Sequence, residues 1–297
     1  MLSAALLFSI GGLFIKMVPW SSLAISGGRG LLSAMVLFVF MKLTKKRVIV
    51  NRGTLLGAVC VFATTTLFIV ADKLTTAANA ILIQYVAPVF IILFMWAFFK
   101  ERPRRLDVIT CVLVLGGIAC FFLDGLGGGN MLGNGIALIS GVTMAGMYMM
   151  NKIPGGDSFS ATVMGHFMAG LLGLPFLLQE RDFGVQAVGC MLVLGIFQLG
   201  LAFVCFCTGI KLTAPVTASL INGLEPILNP ILVAIVVKEF ISPMSALGGA
   251  IVLLSITSYH VLLVRGRPVA EDLEAIMQMQ EADALQAVGA QESERDS

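Results

Sequence analysis

The chain has 297 residues, 58% of them hydrophobic and 12% charged, and its mean hydropathy is +0.97. A water-soluble domain of that length exposes far more charge, which excludes a soluble globular fold and puts the chain in a lipid bilayer. The net charge of +2 selects no partner, and no nucleic-acid partner is expected.

Apolar runs long enough to cross a hydrocarbon core of about 30 Å, which takes roughly 20 helical residues, recur between polar breaks. Ten spans are predicted, over 2–18, 21–41, 54–72, 77–99, 106–123, 133–150, 161–178, 187–208, 214–237 and 244–264. The first run lacks a basic start, carries Lys16 near its end and runs into Pro19-Trp20 rather than a small-residue cleavage site. It is therefore read as a retained span, not a secretory signal. Lys16 lies about one turn from the end of span 1, where a long side chain can reach water. Arg29 lies about two turns into span 2 and needs an interior partner, so a structural role is expected for it ahead of substrate contact.

Span 4 carries Gln84, Tyr85 and Pro88 in its middle and closes on Lys100-Glu101. A Gly- and Asn-rich stretch over 125–132 reads as a flexible connector. Span 6 holds Tyr148 among Met144, Met147, Met149 and Met150, a wall that would adapt to several ligands, although packing is the commoner use of each methionine. His166 in span 7 is expected to be a hydrogen-bonded packing histidine ahead of a titrating one. Span 9 carries Asn222, Glu225, Pro226, Asn229 and Pro230, and its run closes on Lys238-Glu239. The six cysteines all fall inside apolar runs, where a thiol acts as a small apolar side chain, so neither a disulfide framework nor a metal site is expected. From 265 to 297 the composition turns acidic, which reads as a partly disordered cytoplasmic tail.

Charge sorts the loops. Lys42, Lys45, Lys46, Arg47, Arg52, Lys100, Arg102, Arg104, Arg105, Lys152, Lys211, Arg265 and Arg267 follow even-numbered spans, whereas Lys73, Arg181 and Lys238 lie on the other side. The richer side is expected to be cytoplasmic, which places both termini inside the cell and the protein in the plasma membrane.

The chain also matches itself at a shift of 138 positions. Lys73-Leu74-Thr75, Ala80, Leu82-Ile83, Pro88 and Lys100-Glu101 fall on Lys211-Leu212-Thr213, Ala218, Leu220-Ile221, Pro226 and Lys238-Glu239. Five spans per copy is an odd number, so the second copy runs inverted through the membrane, the arrangement of alternating-access carriers. Residues 1–124 and 133–264 are the expected repeats. Within them Pro88 and Pro226 remove backbone bonds and free the carbonyls of Gln84 and Asn222, the only matched pair of side-chain amides. Broken polar helix at this depth is tolerated where it lines a cavity or is buried in protein, so Gln84, Tyr85, Pro88, Tyr148, Asn222, Glu225, Pro226 and Asn229 are the candidate substrate-binding residues. Glu225 faces Ala87 in the repeat match, and a carboxylate at that depth must be paired, hydrated or protonated. It is expected to bind a proton or a cationic substrate group, or else to form a structural ion pair with Lys16 or Arg29. Glu101 and Glu239 read as interfacial anchors ahead of gates.

Gly11-Gly12-Leu13-Phe14-Ile15-Lys16 ending span 1, Arg29 early in span 2, and the small residues, Pro and closing Glu of spans 4 and 9 resemble the EamA domains of the drug/metabolite transporter superfamily. The resemblance covers residues 1 to about 264, and the chain departs from the pattern in starting almost within span 1. It implies an all-α membrane carrier of ten helices in two inverted five-helix repeats, usually exporting small metabolites such as amino acids, amines or nucleosides.

Catalysis is not expected, since no His-Glu-x-x-His or Gly-x-Ser-x-Gly is present and the two histidines lie in different spans. A channel would need a ring of like polar groups, whereas a single buried acid, Glu225, is expected here. The sequence therefore reads as a secondary carrier of a small-molecule substrate, monomeric or homodimeric, without cofactor, with a channel or a non-transporting membrane scaffold as alternatives.

Overall fold

The computed structural model describes residues 1–100, 105–125, 131–213, 218, 221–238 and 242–265. Among them the regular structure is helical, with no strand. Seven helices are long and apolar enough to cross a membrane, namely Ser22–Leu43, Arg52–Leu74, Ala77–Phe99, Arg105–Leu123, Met131–Tyr148, Ser158–Leu177 and Val185–Gly209. The expected runs at 2–18, 214–237 and 244–264 hold shorter apolar helices, Leu2–Met17, Asn222–Val236 and Pro243–Tyr259. The acidic tail beyond Arg265, most of the 125–132 connector, and both Glu101 and Glu239 lie outside the described residues.

Several of these helices are interrupted. The first run is α1 (Leu2–Ser9) and α2 (Gly11–Met17), joined at Ile10. Next come α3 (Ser22–Leu43) and α4 (Arg52–Leu74). The fourth run divides into α5 (Ala77–Gln84) and α6 (Ala87–Phe99), and α7 (Arg105–Gly125), α8 (Met131–Tyr148) and α9 (Ser158–Leu177) follow. The eighth run begins as α10 (Val185–Leu192), widens to a π-helix over Val193–Leu201 and returns to α11 (Ala202–Gly209). A 3₁₀ turn at Asn222–Leu224 precedes α12 (Glu225–Val236), and α13 is Pro243–Arg265.

Polar residues at the run boundaries set the helix starts by satisfying backbone N–H groups that have no partner within the helix. Ser21 caps α3, Thr76 caps α5 and Asp157 caps α9 through side-chain oxygens. Asn51 and Thr54 form a reciprocal capping box at α4.

At the centre α3 packs along α9, α4 packs on α8 and α9, and the π segment packs on α3. Small residues permit the closest crossings. A Cβ placed on Gly27 would stand 2.6 Å from the Gly173 carbonyl carbon, and one on Gly117 would stand 2.8 Å from the Gly248 carbonyl oxygen. By contrast, Val108, Ile109, Val112 and Leu113 of α7 are exposed, an outward apolar face that a bilayer accommodates and water does not.

The loops gather at two ends. At one, Asn51 Nδ2 donates to the Gly155 carbonyl at 2.7 Å, and Lys46 Nζ lies 4.0 Å from the centre of the Phe159 ring. At the other, Trp20 Nε1 donates to the Asp182 carbonyl at 2.6 Å, and Ser21 N donates to Glu180 Oε1 at 2.8 Å.

Candidate functional site

The two broken helices meet in the middle of the bundle. In the first, backbone bonding tightens to the 3₁₀ pattern at the break, with Val86 N on Ile83 O at 3.0 Å and Val89 N on Val86 O at 2.9 Å, and Pro88 sits in the first turn of α6. In the second, the 3₁₀ turn at Asn222–Leu224 hands over to α12 with Glu225 and Pro226 in its first turn. The Asn222 carbonyl, which Pro226 deprives of its helical donor, accepts a hydrogen bond from the Tyr85 hydroxyl of the other break. Tyr85 also reaches Glu225 Oε2 at 3.4 Å.

Around this junction lies a small cavity. Gln84, Tyr148, Asn222, Glu225, Arg29 and Gln198 supply its larger polar groups, with Thr64 and Thr65 beside them. Phe8, Phe68, Leu199, Phe203, Met144 and Met147 complete the wall. Asn222 Nδ2 donates to the Tyr148 hydroxyl at 2.8 Å, while Asn222 Oδ1 is buried without a hydrogen-bond partner among the described residues. Gln84 Nε2 donates to Ser140 Oγ at 2.5 Å, and Ser140 Oγ donates to the Thr64 carbonyl at 3.0 Å. Arg29 donates from Nη2 to the Thr65 carbonyl at 2.8 Å and from Nη1 to Gln198 Oε1 at 3.4 Å.

Of the eight candidate binding residues, Gln84, Tyr148, Asn222 and Glu225 line the cavity, and Tyr85 stands behind it. Pro88 and Pro226 are buried at the breaks and shape them. Asn229 is fully buried with its carboxamide against Gly12, where α2 leaves room only because that glycine has no side chain. His166 is fully buried, bonded through Nδ1 to Ser33 Oγ at 2.8 Å and set edge-on to Phe203 at 4.7 Å.

Lys16 does not serve Glu225. Its Nζ lies 3.6 Å from Asp72 Oδ1 and donates to the Thr75 carbonyl at 3.0 Å. Asp72 is fully buried, so the expectation of a single buried acid is wrong. Its place at the very end of an apolar run, beside Lys73, makes it look interfacial in sequence, yet α2 and the α4–α5 turn close over it. Arg29, expected to be structural, lines the cavity while bonded to Thr65 and Gln198. The residue that sequence reasoning missed is Gln198. It is the only side-chain amide in the 187–208 run, and the π segment that carries it is a feature often found at functional sites.

A family model described as "EamA-like transporter family" matches residues 1–123 and 131–259. An uncharacterized transporter of Clostridium kluyveri is 25% identical over 202 residues, and the match covers 62% of this chain but only 64% of that relative's length. The uncharacterized transporter YwfM of Bacillus subtilis is 30% identical over 211 residues, covering 68% of this chain and 70% of the relative. A solved crystal structure of a 19% identical protein superposes with a TM-score of 0.65 over 89% of this chain and 96% of its own, a likeness of fold. With the family match running through both halves of a multi-pass helical bundle, the chain belongs to the EamA-like transporter family.

Proposed function

We propose that the protein is a secondary carrier that exports small metabolites across the plasma membrane by alternating access, with the cavity between the two helix breaks as its site. The observation that carries the reading is the Tyr85 hydroxyl of one break bonded to the Asn222 carbonyl of the other. It joins the matched segments of the two halves at a polar region deep in the bundle that combines a cavity with a carboxylate and a guanidinium.

Ten spans in two inverted repeats, 1–124 and 133–264, are part of the proposal, and the packing pattern supports it. If the halves exchange, the α3–α9 and α7–α13 contacts each map onto themselves, and α4 on α8 maps onto α11 on α1. Lys100 and Lys238, matched by the repeat, both take left-handed backbone conformations, with φ of 58° and 59°. Related halves of this kind exchange conformations to open the site to either side in turn. The grouping of Lys46 and Lys211 around Phe159 at one end fits a cytoplasmic face there and cytoplasmic termini. The site needs no second copy, so a monomer suffices and a homodimer is compatible.

Glu225, with the unpartnered Asn222 Oδ1 beside it in the cavity wall, offers two acceptors to a cationic group or a proton. Substrate and proton would then occupy Glu225 in alternation. The test begins by comparing metabolites of cells with and without the protein, followed by uptake of the changed compound into proteoliposomes. Saturable flux stimulated by unlabelled compound on the far side is expected. Flux that never saturates would indicate a channel, and no difference at all would indicate a scaffold. Proton coupling is rejected if Glu225→Gln leaves both rate and pH profile unchanged.

A further inference from the structure

We propose that Arg29, steadied by Gln198, is an anion-binding subsite of the cavity, and that the transported molecule carries a carboxylate which Arg29 takes. The inference rests on the carrier reading above. Arg29 is 2% exposed, and a guanidinium stays charged in a protein interior. The other buried or half-buried ion pairs seen here have definite partners, Lys16 with Asp72 and Lys211 with Asp157. Among the described residues no carboxylate oxygen lies within 4.0 Å of Arg29, both of its acceptors are neutral, and Asp72 and Glu225 act on it only from farther away. Five N–H donors and two bonds leave three donors without a protein acceptor among the described residues.

A charge so placed calls for an anion, and its planar fork matches a carboxylate held by two parallel bonds. Gln198 is suited to yield to one, because its two bonds are long, 3.4 Å from Arg29 and 3.5 Å to the Phe8 carbonyl. Glu225 and Asn222 Oδ1 belong to the same cavity wall. The site therefore offers acceptors for a cation and donors for an anion, with Phe68, Leu199 and Met147 for an apolar remainder. A purely structural Arg29 would pin Thr65 and Gln198 but would not distinguish one ligand from another.

Three probes sharing one skeleton separate these roles: leucine, leucinamide and 4-methylpentanoate, titrated against the full chain in lipid nanodiscs with melting temperature as readout. The wild type is expected to bind leucine at least about tenfold more tightly than leucinamide, because a site built for a charged group rejects the analogue that lacks it. Arg29→Gln should abolish that preference and the response to 4-methylpentanoate while keeping the response to leucinamide. Should Arg29→Gln fail to fold, Gln198→Glu decides. It supplies Arg29 with an internal carboxylate, so the empty protein should remain folded while both carboxylate probes lose affinity by a similar factor.

No preference for carboxylate probes in the wild type, or the same preference in Gln198→Glu, overturns the subsite. Binding with the expected preference but without saturable exchange in vesicles overturns the carrier reading and leaves the subsite standing. Saturable exchange of leucinamide with no carboxylate preference does the reverse.

Discussion

Lys73 and Lys211 occupy matched positions of the internal repeat, and each ties the end of its helix to the segment before the second helix of its own half. Lys73 Nζ donates to the Val18 carbonyl at 2.7 Å at one end of the bundle, and Lys211 Nζ donates to Asp157 Oδ1 at 3.0 Å at the other. The same tie is thus made once to a neutral carbonyl and once to a carboxylate, so of these two ties only the one at Lys211 includes an acid.

Asp157 makes that difference measurable. Burial alone would push its carboxyl up, but hydrogen bonds from Ser160 and Lys211 outweigh burial and hold it below its ordinary range. A carboxyl held low in the folded state contributes stability above its unfolded pKa of about 3.9 and loses it as pH falls through the lowered value. Asp157→Ala is expected to cost about 1 kcal/mol at neutral pH, the usual loss for a helix N-cap. The Lys211 side adds little, being more than a third exposed. Melting temperatures of wild type and variant should differ steadily at neutral pH and converge below about pH 4. A gap that persists to about pH 2 would contradict this.

Tyr85→Phe removes the hydroxyl that joins the two breaks. The buried Asn222 carbonyl then keeps only the Glu225 backbone N–H as donor, a loss of about 0.5–1.5 kcal/mol. Transport rate is expected to fall with it, because Asn222 and Glu225 are no longer held across the cavity. A variant with unchanged melting temperature and unchanged exchange rate would show that the junction is not needed.

The glycine crossings give a paired test. Gly27→Val forces a side chain against the Gly173 backbone, with a cost of about 1–3 kcal/mol for overpacking. A Cβ on Gly116 meets nothing within 4 Å, so Gly116→Ala should be neutral within about 0.5 kcal/mol. Size-exclusion profiles and melting curves of the two proteins side by side check the contrast.

Lys16 and Asp72 should couple. Lys16→Met takes away a cation from a fully buried carboxylate, and Asp72→Asn alone removes the opposite partner. The double variant is expected to be more stable than the two single losses predict, by on the order of 1–3 kcal/mol. Additive losses in a double-mutant cycle would mean that the pair at 3.6 Å contributes nothing of its own.

Much of this arrangement is legible in the sequence because the membrane imposes it. The runs from 21–41 to 187–208 correspond to seven helices of spanning length, since lipid tolerates little but helix at that depth. Prolines mark both breaks that meet at Tyr85 and Asn222, so their junction could be anticipated from the self-match of the sequence. The break at Ile10 and the π segment at Val193–Leu201 have no such marker and depend on tertiary packing. Gln198 stayed hidden for that reason, and Asp72 because sequence does not reveal which charge at a helix end will be covered.

The crossing of α3 and α9 at Gly27 and Gly173 sets main chain against main chain. Side chains elsewhere in the bundle mesh like teeth, and separating them means re-sorting rotamers. At this point there are none to re-sort, so α3 and α9 meet on a smooth bearing, and the ties that join residues before the connector to residues after it lie at the two ends, Asn51 on Gly155 at one and Trp20 on Asp182 at the other.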